Sequence, residues 1–239
     1  MLRRDNMSIS ILRYSQIADP AEQGVYLRYR TVYPRNFSTQ MRRLKRLGFT
    51  GLSLRDLEPY LRGKKSGKVF GITFDNGFRG VHAHALATLQ ELEFTATSYF
   101  VPSQIGGFNS WDLPVGAPYS RCMSKAEMRE WALMGHEVGA HSLEHIRLTK
   151  TSVTEARRQI TLARHELEDM LGNSVNSFSY PYGDVSEQVR AIVEQAGYIS
   201  ATTTVSGRIL PEDDMLWLPR QTIRQVDSWL NVLCKCAVG

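Results

Sequence analysis

The chain predicts an α/β fold, a parallel sheet or barrel with helices on the outside. β-rich runs alternate with stretches of helical spacing along its whole length. The helical stretches carry their own starts and stops. Polar residues able to do chemistry stand where β-runs end, and such folds gather their sites at the C-terminal ends of strands. The 239 residues are 42% hydrophobic and 22% charged, ordinary for a globular protein and long enough for a full core.

Taken in order, Ile9 to Leu12 reads as the first strand. Asn36 or Ser38 is expected to cap a helix over Met41, Leu44 and Leu47, which Gly48 stops. Leu52 to Leu54 reads as a short strand, Asp56 to Leu61 as a short helix and Gly63 to Gly67 as a polar loop. Val69 to Phe74 is a buried-type strand, followed by a helix carrying Leu86 and Leu89 and then by the β-branched and aromatic strand Thr95 to Val101. Pro102 to Arg121 is irregular, and irregular stretches of this length inside a compact domain are usually functional. Ser124 and Glu127 form a capping-box pattern for a helix through Met134, ended by Gly135. Glu137 to Ala140 is a strand running directly into His141. Thr151 to Leu171 is a long amphipathic helix stopped by Gly172. A strand over Val175 to Tyr180, a helix over Ser186 to Ala196 and a strand over Ser200 to Thr204 follow. Leu216 to Ile223 reads as the last strand, and Asp227 as the cap of a terminal helix through Leu233.

The formal charge of +5 suits an anionic substrate, but Arg42 to Arg46 has no interleaved aromatics and reads as the solvated face of a helix, so no nucleic-acid partner is expected. The three cysteines do not form a redox or zinc pattern, since Cys234 and Cys236 are one residue apart and Cys122 stands alone. A sparse, odd count fits a reducing compartment. Met1 to Met7 is followed by no long apolar region, and no membrane span is visible, so a cytoplasmic location is the expectation, with Met7 an alternative start.

Two stretches carry the candidate chemistry. His141 and His145 stand four apart, a spacing that on one helical turn faces both rings the same way, and imidazole is a common ligand for zinc, nickel and cobalt. Asp75 and Asn76 end the run Ile72-Thr73-Phe74-Asp75-Asn76-Gly77. Neighbouring side chains diverge, so one can meet a metal while the other faces a water whose proton it takes. The turn Ser179-Tyr180-Pro181-Tyr182-Gly183 is rigid enough to present the N–H of Tyr182 to an oxyanion.

Together these stretches resemble the polysaccharide deacetylases of the NodB-like type, carbohydrate esterase family 4. The family's T-F-D-D-G stands here as Thr73-Phe74-Asp75-Asn76-Gly77. Its H-[ST]-x-x-H stands as His141-Ser142-Leu143-Glu144-His145, after Gly135-His136-Glu137-Val138-Gly139. Its third motif resembles Ser179 to Gly183, and further likeness lies in Ala196-Gly197-Tyr198, Thr202 to Thr204, Leu218-Pro219-Arg220 and the lead-in around Leu12-Arg13-Tyr14. The likeness spans nearly the whole chain, so 1–239 reads as one catalytic domain with its core at about residues 68–225.

The resemblance implies a distorted (β/α)7-type barrel and removal of N-acetyl groups from an amino sugar by metal-bound water. It implies Asp75 as base, Tyr182 as oxyanion donor and Arg220 as the residue that orients or tunes Asp75. His141, His145 and Asn76 would hold a divalent metal, zinc first, with cobalt, nickel or manganese as alternatives. Trp111, Asp112, Tyr180 and Pro181 are the expected substrate contacts, with Tyr119 and Tyr182 as further platforms for a sugar face. The expected substrate is an N-acetylated sugar, possibly linked to a phosphate or nucleotide.

The chain departs from the family twice. Asn76 replaces the metal-binding aspartate, which lowers metal affinity and leaves open an active variant, a weakened or inactive one, or a deliberate substitution. The late histidine that serves many relatives as general acid is absent, with Thr222 and Ile223 near its place, so the leaving amine would be protonated by Asp75 returning its proton, by a residue of the Pro102–Arg121 loop such as Asp112, or by water. Two other readings stand beside the deacetylase: a sugar-binding homologue without turnover, and a hydrolase of a non-sugar amide or imide.

Overall fold

Strand β1 (Ile11–Tyr14) sets the pattern for the molecule. Side chains alternate across a strand, so Ile11 and Arg13 face one side of the sheet while Leu12 and Tyr14 face the other. In the computed structural model, which describes residues 8–19, 21 and 29–237, the same alternation runs through every strand of the main sheet. The N-terminal stretch Met1 to Met7, with its alternative start, lies outside the described residues.

The remaining strands are β2 (Gln16–Ile17), β3 (Thr31–Val32), β4 (Thr50–Leu52), β5 (Val69–Phe74), β6 (Thr97–Phe100), β7 (Glu137–Ala140), β8 (Ser177–Ser179), β9 (Ser200–Thr202) and β10 (Gln221–Thr222). Eight of them form one parallel sheet, seven in the order β10-β1-β5-β6-β7-β8-β9 and β4 off this path. β4 pairs with the first half of β5, and β6 with its last two residues. A parallel bridge from Thr202 to Leu218 ties the segment before β10 back to β9, and β10 pairs with β1, so the sheet curls round on itself. β2 and β3 form a separate pair. This is the parallel, curled α/β fold expected.

The helices are α1 (Pro34–Arg46), α2 (Leu54–Leu61), α3 (Arg79–Leu92), α4 (Lys125–Leu133), α5 (Val153–Leu171), α6 (Glu187–Gln195) and α7 (Trp229–Ala237). Several begin where short polar side chains replace the missing intrahelical acceptors: Ser53, Ser124, Ser152 and Ser186 each accept a backbone N–H of the first turn, and Ser124 and Glu127 complete a reciprocal capping box. Gly172 closes α5 in the left-handed region at φ 75°.

Two caps differ from expectation. α1 starts at Pro34 behind Tyr33, because proline is preset for a first turn, and Ser38 bonds back to the Pro34 carbonyl instead of capping. α7 is capped by Ser228, while Asp227 accepts from the Arg224 N–H and Lys235. The last strand also shrinks to β10, because the Leu216–Arg220 stretch is used in bonds to Ala201, Thr203 and Val205.

The outward face of the sheet is apolar. Leu12, Tyr14, Phe70, Ile72, Phe74, Phe100, Ala140 and Phe178 lie in the main core under the helices, with Trp131 edge-on to Phe74. A second small core, Ile11, Leu54, Leu57, Leu61, Ile209 and Leu218, lies on the inward face beside α2. Elsewhere the inward face is polar: Arg13, Thr73, Thr97, Tyr99, Glu137, Ser177, Ser179 and Thr202 follow one another by register. Gly139 makes this face possible, since a Cβ there would stand 2.5 Å from the Tyr99 ring and 2.6 Å from Ser177 Oγ.

Candidate active site

Asp75 is the next inward residue after Gly71 and Thr73, one step beyond the end of β5, and is only 1% exposed. Arg220 grips it with two parallel bonds, Nη1 to Oδ1 at 2.8 Å and Nη2 to Oδ2 at 3.0 Å. The same guanidinium donates to the Thr203 carbonyl, Thr73 Oγ1 and Ser179 Oγ. Arg220 is fully buried and immediately precedes β10.

A second guanidinium also holds Asp75. Arg13 Nε donates to Oδ2 at 2.5 Å, and its Nη1 lies 3.4 Å from Thr222 Oγ1. Ser179 Oγ adds a fourth donor to Asp75, on Oδ1 at 3.3 Å. A carboxylate offers about four lone-pair sites, so all are taken. Burial alone pushes the carboxyl's pKa up, but Arg220 and Arg13 overcome it and hold the group well below the usual carboxylate range. Asp75 is therefore ionised at any ordinary pH.

Arg13 and Ser179 had no assigned role in the sequence reading. The signal for Arg13 was a lone cation between Leu12 and Tyr14 in an apolar strand. Its partners come from β5 and β10, which are remote in sequence: Arg13 shares a rung with Thr73 on one side and Thr222 on the other.

His141 is the inward residue after Glu137 and Gly139, and its Nδ1 lies 2.6 Å from the Ser179 carbonyl. A carbonyl only accepts, so Nδ1 carries the hydrogen and Nε2 keeps a free lone pair. His145 Nδ1 lies 3.2 Å from the Tyr182 hydroxyl. The two rings are 4.8 Å apart. They are not on a helical turn, as the spacing suggested: the chain from His141 to His145 is irregular, and Ser142 and His145 sit in the left-handed region at φ 57° and 60°. The Ser142 hydroxyl accepts the His145 N–H and so pins the loop. Burial lowers the His141 pKa to about 4, and burial together with His141 lowers His145 well below its ordinary value, so both rings are neutral donors.

Asn76 follows Asp75 at φ 79°, half-buried, a conformation that asparagine tolerates better than most residues. Among the described residues no group of three His, Cys, Asp or Glu side chains is placed to hold a metal. The candidate donor set is the two neutral imidazoles, to which the Asn76 amide oxygen would add a third. It fits a borderline divalent ion such as zinc in ligand type, without any anionic ligand.

The other expected contacts divide. Trp111 lies against His145, ring centroids 4.5 Å apart, and Tyr182 packs on the same ring at 4.7 Å. Tyr182 itself is in the left-handed region at φ 61°, with Arg147 over its ring at 4.2 Å. Tyr180 is a correction: it is fully buried, with its hydroxyl bonded to the Leu216 carbonyl, because alternation turns it to the face opposite Ser179. Pro181 is buried beside it. Asp112 turns into its own loop, where Asn109 donates to it, and burial raises its carboxyl. Tyr119 is exposed and packs edge-on against Phe108, 4.7 Å away. His82 pairs with Glu130 on the outer surface.

A buried Asp–Arg pair thus stands beside two neutral imidazoles on the inward face of a curled parallel sheet. The sequence profile of the polysaccharide deacetylase family matches residues 62–201, and the chain belongs to this family. The peptidoglycan-N-acetylglucosamine deacetylase PgdA of Listeria monocytogenes is 30% identical over 132 residues, 55% of this chain and 25% of that protein. YxkH of Bacillus subtilis is 22% identical over 188 residues, 78% of this chain and 63% of that protein. The chain thus spans less than two thirds of the length of these relatives. Among solved structures, the Streptococcus pyogenes deacetylase PplD in complex with acetate superposes with a TM-score of 0.82 at 21% identity, over 97% of this chain and 99% of that one. At that identity it bears out the fold.

Proposed function

We propose that the chain hydrolyses the N-acetyl group of an amino sugar, with a divalent ion, zinc first, held by His141, His145 and Asn76. The observation that carries this is the buried Asp75, fixed by Arg220 on the inward face that also carries the two imidazoles with their Nδ1 atoms engaged. When bound, such an ion polarises the acyl carbonyl and activates water. Asp75 takes the proton of the attacking water, Arg220 and Ser179 hold its carboxylate in place, and the backbone N–H of Tyr182 receives the developing oxyanion. Trp111 walls the site beside His145 and offers a face to the sugar ring. PgdA's name specifies a peptidoglycan sugar, which favours an N-acetylglucosamine unit within a polymer over a phosphate- or nucleotide-linked sugar.

A second reading, a sugar-binding homologue without turnover, is favoured by one observation. All four acceptor sites of Asp75 are filled, so a proton enters only if a donor leaves. Acetate release from N-acetylglucosamine oligomers and bound metal should be measured for the chain and for Asn76→Asp. The hydrolase reading expects acetate from at least the Asp form, with stoichiometric metal. Metal uptake by both forms with acetate from neither supports the binding homologue, and no metal in either form overturns the proposed centre.

A further inference from the structure

The charges around Asp75 do not balance. Asp75 carries one negative charge, Arg13 and Arg220 one positive charge each, and both contacts are direct and shielded, with the arginine side chains 14% and 0% exposed. Asn76, which follows Asp75, adds no charge, so Asp75, Arg13 and Arg220 together carry one excess positive charge beside the proposed ligands. Arg220 alone would neutralise Asp75. Its two bonds already satisfy both carboxylate oxygens, so Arg13 is not required for pairing. Arg13 is tied to the ligand side by geometry: the Asp75 it clamps directly precedes Asn76, and Ser179 donates its hydroxyl to Asp75 while its carbonyl accepts from His141 Nδ1. A positive charge held there repels a metal cation.

We infer that Arg13 is a positioning residue that sets the charge of the metal pocket: it clamps Asp75 and, acting in the same direction as the neutral Asn76, holds divalent-ion affinity low. Arg13 reaches the ion through electrostatics and through Asp75 and is not itself a ligand. Two separate positions, one on β1 and one after β5, therefore shift the site the same way, each removable by a single substitution. The inference rests on the assignment of His141, His145 and Asn76 as ligands. A unit charge buried near a divalent ion, at an effective dielectric of about 20, changes affinity on the order of tenfold or more.

The test is the dissociation constant of Zn²⁺, measured by competition with a chromophoric chelator in the absence of any sugar, on the full chain. Arg13→Gln keeps a donor for Asp75 without the charge, and it should bind Zn²⁺ about tenfold more tightly. Arg13→Lys keeps the charge and should bind like the parent, a result that packing or folding defects would not give. Asn76→Asp should tighten binding by itself, and the double variant Arg13→Gln/Asn76→Asp should bind most tightly. The double variant also supplies the comparison with Asn76→Asp if Arg13→Gln alone folds poorly. Equal affinity of Arg13→Gln and the parent, with His141→Ala abolishing binding, overturns the role of Arg13 and leaves the metal centre standing. Binding that survives His141→Ala overturns the metal centre itself, and with it the inference.

Discussion

Replacing Arg220 by methionine would leave Asp75 ionised in the interior with Arg13 and Ser179 as its remaining donors. Removing one partner of a buried ion pair costs about 3–5 kcal/mol, because the other charge stays desolvated. Arg13 still shares the carboxylate, and its side chain is 14% exposed, so the lower end applies, about 3 kcal/mol. Arg220 also gives up bonds to the Thr203 carbonyl, Thr73 and Ser179, which keeps the figure from falling further. For a domain of this size about 1 kcal/mol moves the melting temperature by roughly 2–4 °C, so Arg220→Met should melt about 6–12 °C below the parent at pH 7.

The pH dependence has a definite sign. Asp75's folded pKa lies far below its unfolded value, so its stabilisation is complete above the unfolded pKa of about 4 and is lost as pH falls below that toward the folded value. The gap between parent and variant should therefore hold from pH 7 to about 5 and narrow below about 4. Urea denaturation at several pH values reads both effects. The double variant Asp75→Leu/Arg220→Met removes both charges and should cost less than the two single changes added, by about 1–3 kcal/mol. A single variant within 1 kcal/mol of the parent, or strict additivity, would refute the view that Asp75 depends on Arg220 as a charge partner.

Three further outcomes follow from the same geometry. Burial lowers His136 from 6.5 to about 4, so its neutral ring stabilises fully above pH 6.5 and the contribution disappears as pH falls toward 4; His136→Phe should remove up to about 3 kcal/mol of that acid-side loss in denaturation curves. Gly183 stands at φ 72°, and a Cβ there would lie 2.0 Å from Thr204 Oγ1 and 2.8 Å from its backbone nitrogen, so Gly183→Ala should lower the melting temperature and Thr204→Ala should restore it only in part. Tyr182→Phe removes the hydroxyl beside His145 Nδ1 and should weaken Zn²⁺ binding by roughly tenfold or more in the chelator assay, while unchanged binding would mean that the hydroxyl does not fix the ring.

How far the site could be read from the chain depends on whether its cause is local. Asp75 and His141 follow strands whose inward positions alternate with buried outward ones, and both facts stand in the sequence: Phe70, Ile72 and Phe74 point out, so Asp75 points in. The same rule corrects Tyr180, which its place in the third motif alone made an expected substrate contact. Ser179 faces inward and touches Asp75, Arg220 and His141, so the tyrosine beside it must face the helices.

The pairing of His141 with His145 was anticipated for the wrong reason. Four residues of helix would bring the rings together, but so do two left-handed residues, Ser142 and His145, and non-glycine residues adopt that region too seldom for a sequence to announce it.

Arg13 lay beyond local reading altogether. A cation between two core residues says only that something must match its charge, and that match sits 62 residues away, one step past β5, brought alongside by a parallel pairing. The residue at position 76 shows the reverse case. Its substitution was plain in the sequence, but its consequence depends on the charge of its neighbours. With Arg13 absent, an amide in place of a carboxylate would remove one attraction for a cation. With Arg13 present, it removes that attraction from a pocket already carrying an excess positive charge, so the two positions are coupled and neither can be interpreted alone.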